Sequence, residues 1–338
     1  MATLKDVARV AGLSVTTVSR ALNNYDDVAA DTRERVNRLA SELGYYPNHI
    51  ARSLQGTRVH AVGLVIPQLV HRYLDTFWLE FIAGVTSVCG DAGFDLLLCT
   101  GKDLHAEHEH YQRLVTSRRV DGVIVCDLRV RDPRISFLSK SDAPFVAFGR
   151  VLGQDDFSWV DVDGTFGVRT AVEHLLTLGH RRISYLGTPR AFSFTHFRHE
   201  GYSEALFVAG IGYDRHLVVE DLDVSSDLHG PIRQLLALAE PPTAFVACAD
   251  FLAAGALRTI RSLEKCVPGD ISLIAFDDTL ITQQTEPPLT SVRQNNSEIG
   301  ARVASVLIQA IEENDRPVVH ELLRPTLVVR GSTAERSQ

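Results

Sequence analysis

Between Ser14 and Asn23 the chain reads SVTTVSRALN, with Val18, Ala21 and Leu22 spaced to face inward and Val15, Thr16, Ser19, Arg20 and Asn23 near or on the other face. Hydroxyls, a carboxamide and a guanidinium on a narrow helix suit the edges of stacked base pairs. Such a helix fits a major groove, and Arg20 is long enough to reach guanine O6 and N7, a contact worth about 1–3 kcal/mol of discrimination. Hydroxyls and helix amino termini at Thr3 and Ser14 suit phosphate oxygens, which set register without reading sequence, and Thr17 joins this candidate set. Catalytic chemistry has no comparable constellation. There is no GxSxG elbow, no GxGxxG after a strand, and Gly101-Lys102 is followed by Asp, which breaks a phosphate loop. His105 and His108 can share a helix face, but His110 lies off it, so this cluster reads as an exposed polar helix start. The chain is read as a non-enzyme with no cofactor and no metal.

The elements that would position these residues carry explicit start and stop signals. Thr3 can cap a helix with Leu4, Val7, Ala8 and Ala11 on one face, and Gly12 breaks it. Ser14 can cap the second helix. Asp31 with Glu34 has capping-box spacing for a third, striped by Val36, Leu39, Ala40 and Leu43 and ended by Gly44. Two helices joined by a tight turn and braced by a third make the helix-turn-helix plan; a plain three-helix bundle with a polar face has the same pattern. Next, Asn48 can cap a short helix from His49 to Gln55, which is too short to hold alone in water. Against DNA, Leu54 would be an apolar wedge and Arg52 a phosphate or minor-groove contact; otherwise the segment is a linker with Leu54 packed on the next domain.

Composition agrees with this division. The 338 residues are 45% hydrophobic and 22% charged, as in globular domains, and the net charge is −8. The charge is uneven: residues 1–60 hold eight Lys/Arg against six Asp/Glu, and the remainder is acidic. No apolar run reaches membrane-span length and the first residues lack a secretory core, so a cytoplasmic protein with no membrane association is expected. Five cysteines without a CxxC pair read as buried, reduced thiols.

The stretches TLKDVARVAGLSVTTVSRALN and TRERVNRLASELGYYPNHIARSLQG resemble the DNA-binding head and hinge helix of the LacI/GalR family of bacterial transcriptional regulators, almost unbroken over residues 3–56. The resemblance implies that Val15, Thr16 and Arg20 choose operator bases. It also implies that Leu54 pries open the central step of a palindromic site, with Asn48, Ala51 and Arg52 on the same hinge helix.

From Val59 the period changes. Short apolar runs at 61–66, 94–99, 122–125, 145–148, 183–186, 244–248 and 271–276 alternate with amphipathic stretches near 77–90, 106–118, 165–178, 200–209, 228–239, 250–264 and 297–313. That alternation implies an α/β fold of two doubly wound parallel sheets, with ligands at the strands' carboxyl ends. EHLLTLGHRRISYLG, RHEGYSEAL, DISLIAFDD and PPLTSVRQ resemble the two-lobed periplasmic-binding-protein-like effector domain of the same family. The expected organisation is a helix-turn-helix head at 1–46, a hinge helix and linker at 47–58, an effector and dimerisation domain at 59–333 and a tail at 334–338. The resemblance implies three lobe crossings, with 60–161 plus 292–322 in one lobe and 162–289 plus 323–333 in the other.

The same resemblance places an effector-binding arginine at Arg198, an effector-binding aspartate at Asp277 and cleft-wall aromatics at Phe77 and Trp78, although these two could equally be core. Arg150 follows a strand and is expected at the same cleft. Asp278 reads as a helix cap. Ala249-Asp250 departs from the Asn-Asp found in many sugar-responsive relatives, which removes one hydroxyl contact. Segments 120–135 and 149–164 resemble the family's α-glucoside-responsive regulators, which would put Asp156, Phe157 and Trp159 at the cleft mouth. The expected protein is a homodimeric repressor of sugar-utilisation genes on a palindromic double-stranded DNA operator, released by a mono- or disaccharide effector. The alternatives are a corepressor-dependent regulator and a sugar-binding protein with no DNA role, the latter opposed by the front helices.

Overall fold

Thr3 opens the first helix, α1 (Leu4–Ala11), through a reciprocal cap: its hydroxyl accepts from the Asp6 N–H, and its own N–H donates to the Asp6 carboxylate at 2.9 Å. Gly12 closes α1 at φ +67°, where a side chain would be strained. Ser14 accepts from the Thr17 N–H at 3.0 Å and starts α2 (Val15–Leu22). The third helix, α3 (Ala30–Glu42), starts earlier than its capping-box spacing suggested: Ala29 is the N-cap, without a side-chain bond, and Asp31 lies in the first turn. Tertiary contacts account for the shift. Val28 is buried, and Arg33 donates to the carbonyls of Tyr25 (3.0 Å) and Val28 (3.1 Å), which fixes the approach to the helix at these residues. Val7, Ala8, Ala11, Val18, Ala21, Val36 and Ala40 close the core of this unit.

The computed structural model describes residues 2–22, 25, 27–45, 58–67, 76–313 and 317–336. Asn23 and the expected hinge helix with Asn48, Ala51, Arg52 and Leu54 lie outside the described residues. The chain divides into two units, Met1–Val59 and His60–Gln338.

The second unit holds two six-stranded sheets. The first contains β1 (Ala61–Pro67), β2 (Asp95–Gly101), β3 (Gly122–Val125), β4 (Phe145–Phe148) and β5 (Trp159–Val162), with β11 (His320–Leu323) at one edge in the order β11-β5-β4-β3-β1-β2. Every pair in it is parallel. The second contains β6 (Ile183–Leu186), β7 (Val218–Val219), β8 (Ala244–Ala247), β9 (Ser272–Asp277), β10 (Thr290–Arg293) and β12 (Thr326–Val328), in the order β12-β10-β9-β8-β6-β7. Only β12 runs antiparallel, against β10. The fully buried strands GVIV and AFVA carry the unbroken apolar character of sheets covered on both faces, and ISYL departs from it at Ser184, whose hydroxyl donates to the Leu217 carbonyl at 2.6 Å. The edge strands β11 (HELL) and β12 (TLV) are short and nowhere fully buried, and carry no such signal.

Helices α4 (Thr76–Asp91), α5 (Leu104–Thr116), α6 (Pro133–Leu138) and α12 (Asn296–Glu312) belong with the first sheet. Helices α7 (Gly164–Thr177), α8 (Ser193–Val208), α9 (His229–Leu236), α10 (Asp250–Ser262) and α11 (Leu280–Gln284) belong with the second. The chain passes between sheets after Val162, after Arg293 and after Leu323. The second passage falls later than the expected 289–292, because β10 pairs with β9 as far as Arg293, whose guanidinium bonds Asp278 at 2.7 Å.

Two glycines set the distance between α4 and α12. A Cβ on Gly84 would lie 2.0 Å from the Ser297 carbonyl oxygen, and one on Gly300 would lie 2.1 Å from that of Phe81. The backbones therefore meet directly, and Phe81, Val85, Ile299, Val303 and Leu307 fill the core around the contact. Of the cysteines, Cys89, Cys126 and Cys248 are buried, whereas Cys99 is half-buried and Cys266 exposed, against the expectation that all five lie inside.

Candidate functional site

The carboxyl ends of the strands from both sheets converge on one cavity of about 480 Å³, within the usual range for small-molecule sites. Strand exits supply most of its wall: Asp127 and Leu128 after β3, Gly149 and Arg150 after β4, Asp161 and Val162 at the end of β5. From the second sheet come Thr188 and Pro189 after β6, Asp250 and Phe251 after β8, and Asp277 and Thr279 after β9. Phe77, Trp78, Arg150, Arg198 and Asp277 all line it.

Arg198 is delivered by α8. Three residues further on, Gly201 lets this helix ride against α7, where a Cβ would stand 2.1 Å from the Thr165 carbonyl oxygen. The guanidinium of Arg198 donates to the Cys248 carbonyl at 2.5 Å and reaches Asp277 Oδ1 at 3.4 Å. It lies between aromatic neighbours, 3.8 Å from the Phe276 ring centre and 4.8 Å from that of Phe194. Gln294 donates to the same Asp277 oxygen at 2.6 Å. Asp277 has φ +113°, a backbone region costly for any side chain, so its place at the cleft is held against strain by these partners.

A second pair faces the cavity from the first sheet. Arg150 Nε is 3.2 Å from Asp161 Oδ2, and its guanidinium carbon stands 3.9 Å from the Phe197 ring centre. Burial pushes the Asp161 carboxyl up to about 6, with Arg150 offsetting part of the rise. Asp250 is engaged within the protein: one oxygen accepts from the Thr279 N–H at 2.6 Å and its hydroxyl at 2.7 Å. Burial raises that carboxyl well above its ordinary value, and Asp277 adds to the rise. Asp278 is not the helix cap it resembles. It is buried and bonded by Arg330 at 2.6 Å and Arg293 at 2.7 Å, an ion triad that ties the end of β9 to β10 and to the carboxyl-terminal segment.

Phe77 and Trp78 serve as core and wall together. Both are buried against Phe81, edge to face with each other at 5.4 Å, and both border the cavity. Trp159 does not border it, contrary to expectation. It sits two residues before Asp161 on β5, further from the strand's carboxyl end, and stacks on His320 at 4.7 Å. Phe157 is likewise core, and Asp156 is exposed outside the cavity. Sequence reasoning missed many of the lining residues, among them Asp127, Phe148, Phe194, Phe197, Phe251 and Gln294. The available signal for most was position, at or just beyond a strand's end, rather than any motif.

In the first unit, Thr3, Ser14, Val15, Thr16 and Arg20 are exposed or half-exposed, and Thr17 and Ser19 are half-buried. Val18 and Ala21 face the core, so α2 presents a polar outer face. Arg20 is ion-paired with Asp27 and lies over the Tyr25 ring, 5.3 Å from its centre. Two of the three histidines of α5 have local polar partners, His105 beside Glu109 and His110 beside Arg113, and His108 packs edge to face on Phe137 at 5.6 Å. Among the described residues no group of three or more His, Cys, Asp or Glu is arranged to hold a metal ion, and no described helix is long and apolar enough to cross a membrane.

This pairing of a helix-turn-helix head with a two-lobed cleft defines a DNA-binding transcriptional regulator with an effector domain. Residues 3–48 match the family of bacterial regulatory proteins, lacI family, and residues 172–333 match a periplasmic binding protein-like domain. The chain is 35% identical over 334 residues to the HTH-type transcriptional regulator CelR of Thermobifida fusca, covering 98% of each chain. It is 37% identical over 337 residues to the regulator AglR of Rhizobium meliloti (strain 1021), covering 98% of this chain and 94% of that one. Among solved structures, a transcriptional regulator CelR–cellobiose complex superposes with a TM-score of 0.76 at 34% identity, covering 98% of this chain and 100% of that one. A lac repressor dimer bound to operator and the anti-inducer ONPF superposes with a TM-score of 0.82 at 28% identity, covering 98% and 99%. The chain belongs to the LacI family of bacterial transcriptional regulators and is not an enzyme.

Proposed function

We propose that this regulator is a cytoplasmic repressor of sugar-utilisation genes that binds a palindromic operator as a homodimer and is released by a neutral mono- or disaccharide. The observation that carries the effector class is the cavity lining: eight aromatic residues together with the pairs Arg198–Asp277 and Arg150–Asp161. Ring C–H faces of a sugar stack on aromatic walls, while its hydroxyls need planar donors and carboxylates in a dry cleft. Each charge in those pairs is already balanced, which suits a ligand with many hydroxyls and no net charge. Cellobiose in the CelR complex supports the disaccharide class.

On DNA, two copies of α2 read half-sites through Val15, Thr16 and Arg20, while Thr3, Ser14, Thr17, Ser19 and Asn23 secure the backbone and flanking edges. The segment carrying Asn48, Ala51, Arg52 and Leu54 enters the minor groove between them, with Leu54 as the wedge. Sugar closing the cleft lowers operator affinity, and by linkage operator DNA lowers sugar affinity by the same factor. A swing in occupancy from 99:1 to 1:99 needs about 5.5 kcal/mol of differential binding.

The test is selection of bound fragments from the source genome at stated salt, because phosphate contacts make affinity salt-dependent. Enrichment of a palindrome of about 14–20 base pairs is expected, and it is lost when the cognate sugar is added. Enrichment only in the presence of a pooled small molecule would instead establish corepression. No enrichment under either condition would overturn the reading.

A further inference from the structure

We propose that Asp27 is a specificity-determining residue of the DNA-reading face, acting through Arg20. Arg20 ends the exposed side of α2, and Asp27 lies in the loop that leads to α3. Its described residues are anchored on both sides of Asp27: Arg33 donates to the Tyr25 and Val28 carbonyls, the Tyr25 N–H donates to the Arg20 carbonyl at 3.1 Å, and Val28 is buried. It carries a carboxylate and an aromatic ring onto one guanidinium, with Asp27 paired to Arg20 Nη2 and the Tyr25 ring centre 5.3 Å from its central carbon.

Stability does not explain the arrangement, since both members of the pair are about half exposed, at 46% and 51%, and such pairs contribute little to folding. Its consequence falls on what Arg20 can touch. A lone arginine on this face neutralises a phosphate of any sequence and strengthens every complex alike. With Asp27 beside it, a phosphate approaching Arg20 also meets a carboxylate, so that contact is penalised. A guanine edge carries acceptors without full charge and is not penalised in this way. The carboxylate also fixes the plane of the guanidinium fork before DNA arrives, and it can itself accept from a cytosine N4 amine. Asp27 thereby gives up general affinity for discrimination, a repulsive element built against the wrong partner.

This inference rests on Arg20 being a base contact, and the experiment separates the two. The whole chain as wild type, Asp27→Asn, Asp27→Ala and Arg20→Ala is titrated against the selected operator, its single-position variants and a scrambled duplex over a range of salt. Asp27→Asn preserves side-chain shape, so the loop keeps its Arg33 and Val28 anchors. The expected result is that both Asp27 variants bind the scrambled duplex several-fold tighter, with a salt slope steeper by about one phosphate contact. Their ratio of operator to scrambled affinity falls about tenfold. If that ratio is unchanged while Arg20→Ala relaxes preference at one position per half-site, Asp27 has no role in specificity and Arg20 keeps its own. If Arg20→Ala weakens both duplexes equally, Arg20 is a phosphate contact and the reading beneath the proposal fails.

Discussion

Arg198 on α8 reaches Asp277 at the end of β9 at 3.4 Å, while its other terminal nitrogen is bonded to the Cys248 carbonyl just after β8. One guanidinium thus links three elements of the second sheet's binding face, stacked on Phe276 in a geometry that a lysine ammonium cannot reproduce. Replacing Arg198 with Ala should leave operator binding intact and weaken effector binding by about 10- to 100-fold, the value of hydrogen bonds from a charged donor. Calorimetric titration with the cognate sugar measures this. Arg198→Lys should recover little of the loss; full recovery would mean that charge alone matters at this position.

Asp161 makes stability depend on pH in a defined direction. Its carboxyl is held up at about 6 by burial, against 3.8 ordinarily, so the folded chain keeps a proton that the unfolded chain has already released. Stability contributed by this group is present below about pH 4 and is lost as pH rises through 6, by ~3 kcal/mol in all. Asp161→Asn should abolish that loss. From pH 4 to 7 the wild type's thermal midpoint should fall relative to the variant's; parallel curves would contradict the assignment.

The α4–α12 contact has no room for a methyl group. Gly300→Ala puts a Cβ 2.1 Å from the Phe81 carbonyl oxygen and should cost about 3 kcal/mol, because both partners at the clash are backbone. A Cβ on Gly90, near the end of α4, would meet nothing within 4 Å, so Gly90→Ala should be neutral or stabilise by about 0.5 kcal/mol. Urea unfolding of the two variants separates packing from propensity.

Thr3 offers a local test of the first helix. Thr3→Ala removes the hydroxyl that caps α1 and should lower protection of its amides by about 1 kcal/mol in hydrogen exchange of the full chain. The Asp6 carboxyl, now held below its ordinary value chiefly by the Thr3 hydroxyl, should titrate at higher pH in the variant.

The head helices were legible because their determinants are local. Thr3, Gly12 and Ser14 act within four residues of themselves, and the stripes Val7-Ala8-Ala11 and Val18-Ala21 encode a helix period directly. The buried strands were legible for a similar reason, as short apolar runs between amphipathic helices. Asp31 misled because a cap is a choice among neighbouring residues, and Arg33 and the buried Val28 made that choice through contacts across the loop.

By itself the sequence determined the helix starts, the alternation of strands and helices, and, through family resemblance, the candidates Arg198 and Asp277. Tertiary structure alone decided that Trp159 packs on His320 away from the cleft, that Thr279 captures Asp250, that Arg330 and Arg293 share Asp278, and that Asp27 pairs with Arg20. The physical reason is range. Caps and periodicity are interactions between residues three or four apart, whereas most of these partners meet only because sheets and crossings bring distant segments together, and no local spacing encodes which of them will touch.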